Sequence, residues 1–86
     1  MPRLCEFFGI YIYMYFEDHA PPHFHAMYGE FEAHIAINDL RIIKGKLPPR
    51  VLGLVIEWAA QHKEELLENW ESAVHSKPVK KIAPLT

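Results

Sequence analysis

Three of the chain's six histidines fall within seven residues, inside the stretch Asp18–His25, which reads DHAPPHFH. His23 and His25 are two apart, so on an extended strand their rings point the same way, with Cα atoms ~6.5–7 Å apart. Two imidazoles at that spacing can share one metal ion. They can also act as general acid and general base on opposite sides of a small reacting group. A metal needs three or four ligands with hydrogen-bonded support behind them. The candidates are His23 and His25, joined by His19 or His34 and by Asp18. Extended through Pro21-Pro22 as polyproline, the chain would carry His19 ~12 Å from His23, out of reach. A bend or a cis proline would return it.

The metal-free alternative is RNA cleavage. It needs a base for the 2′-hydroxyl, an acid for the leaving oxygen and a cation for the phosphate. His23 and His25 supply the acid and base, Arg41 the phosphate contact, and Tyr13 a surface on which a base can stack. A plainer reading uses the same residues as a protein–protein surface, for which histidine with tyrosine is a common composition.

These side chains need a sheet to hold them. Phe7–Phe16, FFGIYIYMYF, is aromatic and β-branched, as strands prefer. Alternation puts Phe8, Ile10, Ile12, Met14 and Phe16 on one face. It puts Phe7, Gly9, Tyr11, Tyr13 and Tyr15 on the other. After the two prolines, Phe24, Ala26 and Tyr28 alternate with His23, His25 and Met27. Tyr28-Gly29-Glu30 reads as a tight turn. Phe31, Ala33, Ile35 and Ile37 then alternate with Glu32, His34 and Ala36. Asn38-Asp39 suits a hairpin turn, and a fourth strand follows with Arg41 opposite Leu40 and Ile42. If the aliphatic face packs inward, the other face presents Tyr11, Tyr13, Tyr15, His23, His25, Glu32, His34 and Arg41.

The period then changes. Leu47-Pro48-Pro49 opens a helix, where proline is tolerated in the first turn. Val51, Leu54, Val55, Trp58, His62, Leu66, Trp70 and Val74 recur at three- and four-residue steps, as one apolar stripe. A straight helix over 49–76 would be ~42 Å long. A compact domain of this length has a radius of gyration of only ~12 Å. The helix is therefore expected to bend or break near Gln61-His62-Lys63, or to project toward a partner. His62 reads as a packed residue at the core edge, and His75 as solvated near the helix C-terminus. The tail beyond Pro78 forms an edge strand or stays loose.

Composition narrows the function. The 86 residues carry a net charge of −2 with histidine neutral, so no global basic field announces nucleic-acid binding. Cys5 is the single cysteine. No internal disulfide and no CxxC zinc pair can form, which fits a cytoplasmic setting. The apolar run at 7–16 lacks the features of a signal peptide and is too short to span a membrane. Lys44-Gly45-Lys46 has none of the spacing of a phosphate loop.

At DHAPPHFHAMYGEFEA, GKLPPR and EELLENWE the sequence resembles the bacterial family catalogued as domain of unknown function 4160, from Phe7 to about Leu85. The motifs that carry the resemblance are a DHxPPHxH box (Asp18, His19, Pro21, Pro22, His23, His25) and a YGE turn (Tyr28, Gly29, Glu30). They continue with a GKLPPR helix start (Gly45 to Arg50) and an ENW near the helix end (Glu68, Asn69, Trp70). The resemblance implies a small protein often encoded beside another short one, in the manner of a type II toxin–antitoxin pair with this family as the toxin. It implies no chemistry.

The expectations are then as follows. The fold is α+β: a two-layer domain over residues 1–86, in which an antiparallel three- to four-stranded meander (strands 7–16, 23–28, 31–37 and 40–43) packs on a long C-terminal helix over 49–75, bent or split. A tail covers 77–86. The function is that of a toxin component that binds a small cognate antitoxin, with metal-independent ribonuclease chemistry at His23, His25 and Arg41. Tyr11, Tyr13, Tyr15, Asp18, His19 and His34 serve as binding residues, with no cofactor. The alternatives are a non-enzymatic protein-binding module and a metalloprotein in which His19, His23 and His25 hold a divalent transition metal such as zinc. Expected partners are the antitoxin-like protein and RNA, with no membrane; a homodimer is left open.

Overall fold

The computed structural model describes residues 2–16 and 18–86. In chain order it contains β1 (Arg3–Phe7), β2 (Ile10–Tyr13), β3 (His23–Tyr28), β4 (Phe31–Ala36), β5 (Ile42–Lys46), α1 (Pro49–Gln61) and α2 (Lys63–Val74). The strands form one antiparallel meander in the order β1-β2-β3-β4-β5. The class is α+β, with five strands in place of the three or four expected and two helices in place of one.

The first difference lies within the run expected as one strand over 7–16. Phe8 and Gly9 both take positive φ, 51° and 79°. They form a two-residue turn that pairs Phe7 with Ile10. This is the kind of hairpin turn whose twist matches that of the flanking strands. The turn reverses the expected sides: Phe7 is buried and Phe8 is 62% exposed. Phe16, expected in the core, lies beyond the end of β2 and is exposed. Phe31 and Tyr28 flank the Gly29-Glu30 turn and are exposed as well.

The second difference concerns β5. Leu40 has a φ of 57°, far from the extended values of a regular strand. The strand therefore begins at Ile42 rather than at residue 40. Its register slips against β4: Ile35 faces Ile42, but His34 faces Lys44. Ile43 is the extra residue of a β-bulge. One inserted residue exchanges the faces of everything beyond it. Gly45 makes the close approach possible, because a Cβ there would run into the Glu32 backbone oxygen, and its φ is 80°.

Away from these points the face assignment holds. Ile10, Ile12, Met14, Phe24, Ala26, Ala33 and Ile35 are fully buried on one side of the sheet. They share a core with Val51, Val55, Trp58, Ala59, Leu66, Trp70 and Ala73 of the helices. Trp58 is 0% exposed and packs against Phe7 and Phe24, ring centroids 5.5 and 6.0 Å away. Burying one such side chain contributes ~1.5–3 kcal/mol.

The helix breaks where the length argument places the break. His62 leaves helical geometry at φ −126°, ψ 26°, ending α1 and preceding α2. It is half-buried, beside Trp58 at 5.5 Å and with Nδ1 2.6 Å from Glu65 Oε1. His75 is exposed, its Nδ1 donating to the Glu71 carbonyl at 2.9 Å. The tail is neither a strand nor loose. Asn69 clamps the backbone of Lys80 through both its amide atoms, each at 2.9 Å. The Trp58 indole N–H donates to the Ala83 carbonyl at 2.8 Å, and the Ile82 N–H donates to the Leu4 carbonyl at 2.9 Å. The radius of gyration is 11.6 Å. Among the described residues no helix is long and apolar enough to cross a membrane.

Candidate metal centre

Antiparallel pairing lines up four side chains from four strands in one row. Tyr13 of β2 faces His25 of β3, which faces His34 of β4, which faces Lys44 of β5. Directly opposite positions bring side chains within contact, and the His25 and His34 rings lie 4.0 Å apart. His23, two residues before His25, adds a third ring at 5.2 Å from His25 and 5.8 Å from His34. One nitrogen from each of the three falls within 4.8 Å of the others.

His23 and His25 are 6% and 4% exposed, unusual burial for imidazoles. Each has a partner at Nδ1. The Pro21 carbonyl lies 2.7 Å from His23 Nδ1, and Glu32 Oε2 lies 3.3 Å from His25 Nδ1. The Nε2 atoms both face one oxygen, Asp18 Oδ2, at 3.0 Å for His23 and 3.3 Å for His25. Glu32 Oε2 also stands 3.4 Å from His34 Nε2. Trp70 packs on the His23 ring at 5.2 Å, and Tyr15 meets His25 edge-on at 4.2 Å.

The proton count allows more than one arrangement, and two of them differ most in charge. A carbonyl oxygen only accepts, so His23 Nδ1 carries a proton. If His23 Nε2 also donates to Asp18, the ring is an imidazolium. The same holds for His25 between two carboxylates, which would place two imidazoliums side by side with Asp18 and Glu32 as their counter-charges. The other arrangement leaves both Nε2 atoms as lone pairs and puts a cation between them and Asp18. Ligands at ~2.0–2.1 Å from one ion are ~3.0–3.4 Å from each other when adjacent, which matches the two distances to Asp18 Oδ2. A ring whose second nitrogen donates to a carbonyl or carboxylate is the usual state of a metal-bound histidine.

In the metal-free site Asp18 is held anionic and His34 neutral. Burial pushes the Asp18 carboxyl up. The His19 backbone N–H, the His25 ring and the charges of His23 and His25 outweigh it and hold the carboxyl below its ordinary value. Burial, reinforced by His25, pushes the His34 imidazole down, and the Glu32 carboxylate only partly offsets this. The Tyr15 phenol is pushed up by burial and then by Glu32 and Asp18, so it stays protonated.

The structure separates the expected site residues. Asp18, His23, His25, His34 and Tyr15 line a cleft of about 510 Å³. The Ala20-Pro21 peptide is cis, and the loop returns Asp18 to the rings. His19 stays on the rim, its side chain 93% exposed and its Nδ1 3.3 Å from Asp18 Oδ1. Of the expected alternative set of His19, His23 and His25, the structure keeps His23 and His25 together, sets His34 with them and brings Asp18 onto both rings. Arg41 does not line the cleft; its exposed guanidinium pairs with Asp39, Nε to Oδ2 at 2.9 Å. The bulge at Ile43 gives that side of the cleft to Lys44. Tyr11 lies under the Arg3 guanidinium at 5.5 Å, and neither it nor Tyr13 reaches the cleft wall. Sequence reasoning placed Glu32 on this face but gave it no role. Its position two residues before His34 was the available signal. Trp70 was legible only as a core or subunit contact.

No curated protein and no solved structure matches the chain. A family model described as a domain of unknown function, DUF4160, matches residues 9–71, which include every residue of the cluster and its supports through Trp70. The chain belongs to the DUF4160 family.

Proposed function

We propose that the cluster is a metal centre and that the chain's function is exercised by one divalent transition-metal ion held between Asp18 Oδ2, His23 Nε2 and His25 Nε2. The observation that carries this reading is the single carboxylate oxygen shared by two ring nitrogens, each ring held through its other nitrogen by a separate acceptor. His34 supplies a fourth nitrogen within reach, and Glu32 orients both His25 and His34. Two histidines and one carboxylate occupy one side of an ion and leave positions open for water or a ligand. Asp18, His23 and His25 all line the cleft, so an ion that they held would be reached from it.

Protein purified without an affinity tag should contain about one equivalent of zinc, nickel or iron by elemental analysis. His23→Ala and His25→Ala should each abolish uptake. Metal-free native protein that also fails to take up zinc on reconstitution would reject the reading.

A metal-free ribonuclease is the second reading. It is favoured by Lys44, a cation beside His34 that replaces Arg41 as the phosphate contact. RNA cleavage that persists in a chelator and disappears in the His23→Ala/His25→Ala double variant would select it over the metal centre. For either chemistry we propose, from the family resemblance, the setting of a toxin with a small antitoxin partner.

A further inference from the structure

Two features of the cleft are unused by the metal ligands. The first is Lys44. It lies directly across the ladder from His34 and lines the cleft. Among the described residues its ammonium makes no ion pair. The carboxylate nearest in register, Glu32, is turned onto His25 and His34. A divalent ion held by one carboxylate and neutral imidazoles keeps a net positive charge, so metal and Lys44 together face the opening with two separate cations. A carboxylate ligand would neutralise one of them. A phosphate monoester carries two negative charges and has oxygens for both.

The second feature is apolar. Phe16 and Ile43 are 44% and 40% exposed, and both line this cleft. Ile43 is there because the bulge turns it out of the ladder. A flat ring has somewhere to lie beside the charged end. The cleft, about 510 Å³, falls within the ~300–1,000 Å³ of sites for drug-sized small molecules.

We infer that the cleft binds a phosphate ester carrying a flat ring, its phosphate between the metal and Lys44 and its ring against Phe16 and Ile43. The inference rests on the metal-centre reading.

The test uses the full chain reconstituted with zinc, titrated calorimetrically with AMP, adenosine and inorganic phosphate. AMP should bind at least tenfold more tightly than either fragment. Lys44→Met should weaken AMP and phosphate at least tenfold and leave adenosine unchanged, and Lys44→Arg should restore most of the loss. Phe16→Ala should weaken AMP and adenosine but not phosphate. Both sites are exposed, and unchanged zinc stoichiometry in each variant shows that the fold survives. Zinc uptake with no AMP binding at millimolar concentration, AMP no tighter than phosphate, or AMP affinity indifferent to Lys44→Met would each overturn this inference alone. Failure to take up zinc would overturn it together with the metal centre.

Discussion

The carbonyl oxygen of Pro21 lies 2.7 Å from Nδ1 of His23. That single bond fixes the ring's orientation and places its proton on Nδ1. The remaining nitrogen, Nε2, is aimed at Asp18. The second proline of the loop's triplet Ala20-Pro21-Pro22 then leads directly into β3, so the segment that carries Asp18 also holds the ring that Asp18 meets.

Glu32 should matter to the metal and little to the fold. It is half-exposed and bonds the outer nitrogens of His25 and His34. Removing the partner of a metal-bound histidine typically costs ~10–100-fold in affinity. Glu32→Gln should therefore weaken zinc binding by about that factor in a competition titration, with an unchanged denaturation midpoint for the metal-free protein.

Acid should destabilise the metal-free protein in two steps. His34 holds its proton less tightly folded than unfolded, below the ordinary 6.5. The unfolded chain then binds more protons between the two values. Stability is full above about pH 6.5 and falls as pH drops through that window. Asp18 also sits below its ordinary 3.8. Its contribution is present above that value and lost as pH falls through the folded one. Urea unfolding in a chelator at pH 8, 6, 5 and 3 reads both steps, and His34→Gln should remove the upper one. A flat profile between pH 8 and 5 would contradict the first.

Two glycines should respond to alanine in opposite senses. At Gly45 the new Cβ would run into the Glu32 carbonyl, on a backbone with φ 80°. Such strain costs ~1–3 kcal/mol before any clash, and relief would shift Glu32 and Lys44 as well. Gly45→Ala should lower both stability and zinc affinity. Gly53 lies inside α1 with nothing within 4 Å of its would-be Cβ. Gly53→Ala should stabilise by ~0.5–1 kcal/mol. Chemical denaturation of both variants makes the comparison.

If the chain inhibits growth when expressed, the His23→Ala/His25→Ala double variant should lose that effect while retaining the helix and sheet signals of its circular dichroism spectrum. Undiminished toxicity in a folded double variant would place the toxic activity outside this cluster. If a short protein is encoded beside it, co-expression of that protein should restore growth to cells making the native chain.

The lateral organisation of the site was legible in the sequence because side-chain alternation is a local property of extended chain. Period two along residues 23–28 and 31–37 assigned His23, His25, Glu32 and His34 to one face and Phe24, Ala26, Ala33 and Ile35 to the other. The clash between a 28-residue helix and the dimensions of a compact domain called for a bend or break near Gln61-His62-Lys63 or for a projecting end, and the break falls at His62. Motif order identified the family. What escaped were single-residue departures from regularity. Phe8 gives no outward sign of adopting positive φ, so the first hairpin read as one strand. Ile43 gives no sign of being the extra residue of a bulge, so the cation of the cleft was sought at Arg41 instead of Lys44.

The sequence by itself determined which residues of 23–28 and 31–37 share a sheet face, where the helix opens and near where a bend or break was to be sought. These follow from periodicity, proline chemistry and length, which need no partner. Only the tertiary structure decided which groups converge. It brought Asp18, not His19, onto His23 and His25. It set Trp70 behind His23, because helix and sheet must share one core. Convergence in space is a property of packing between distant segments, and no local pattern in the chain encodes it.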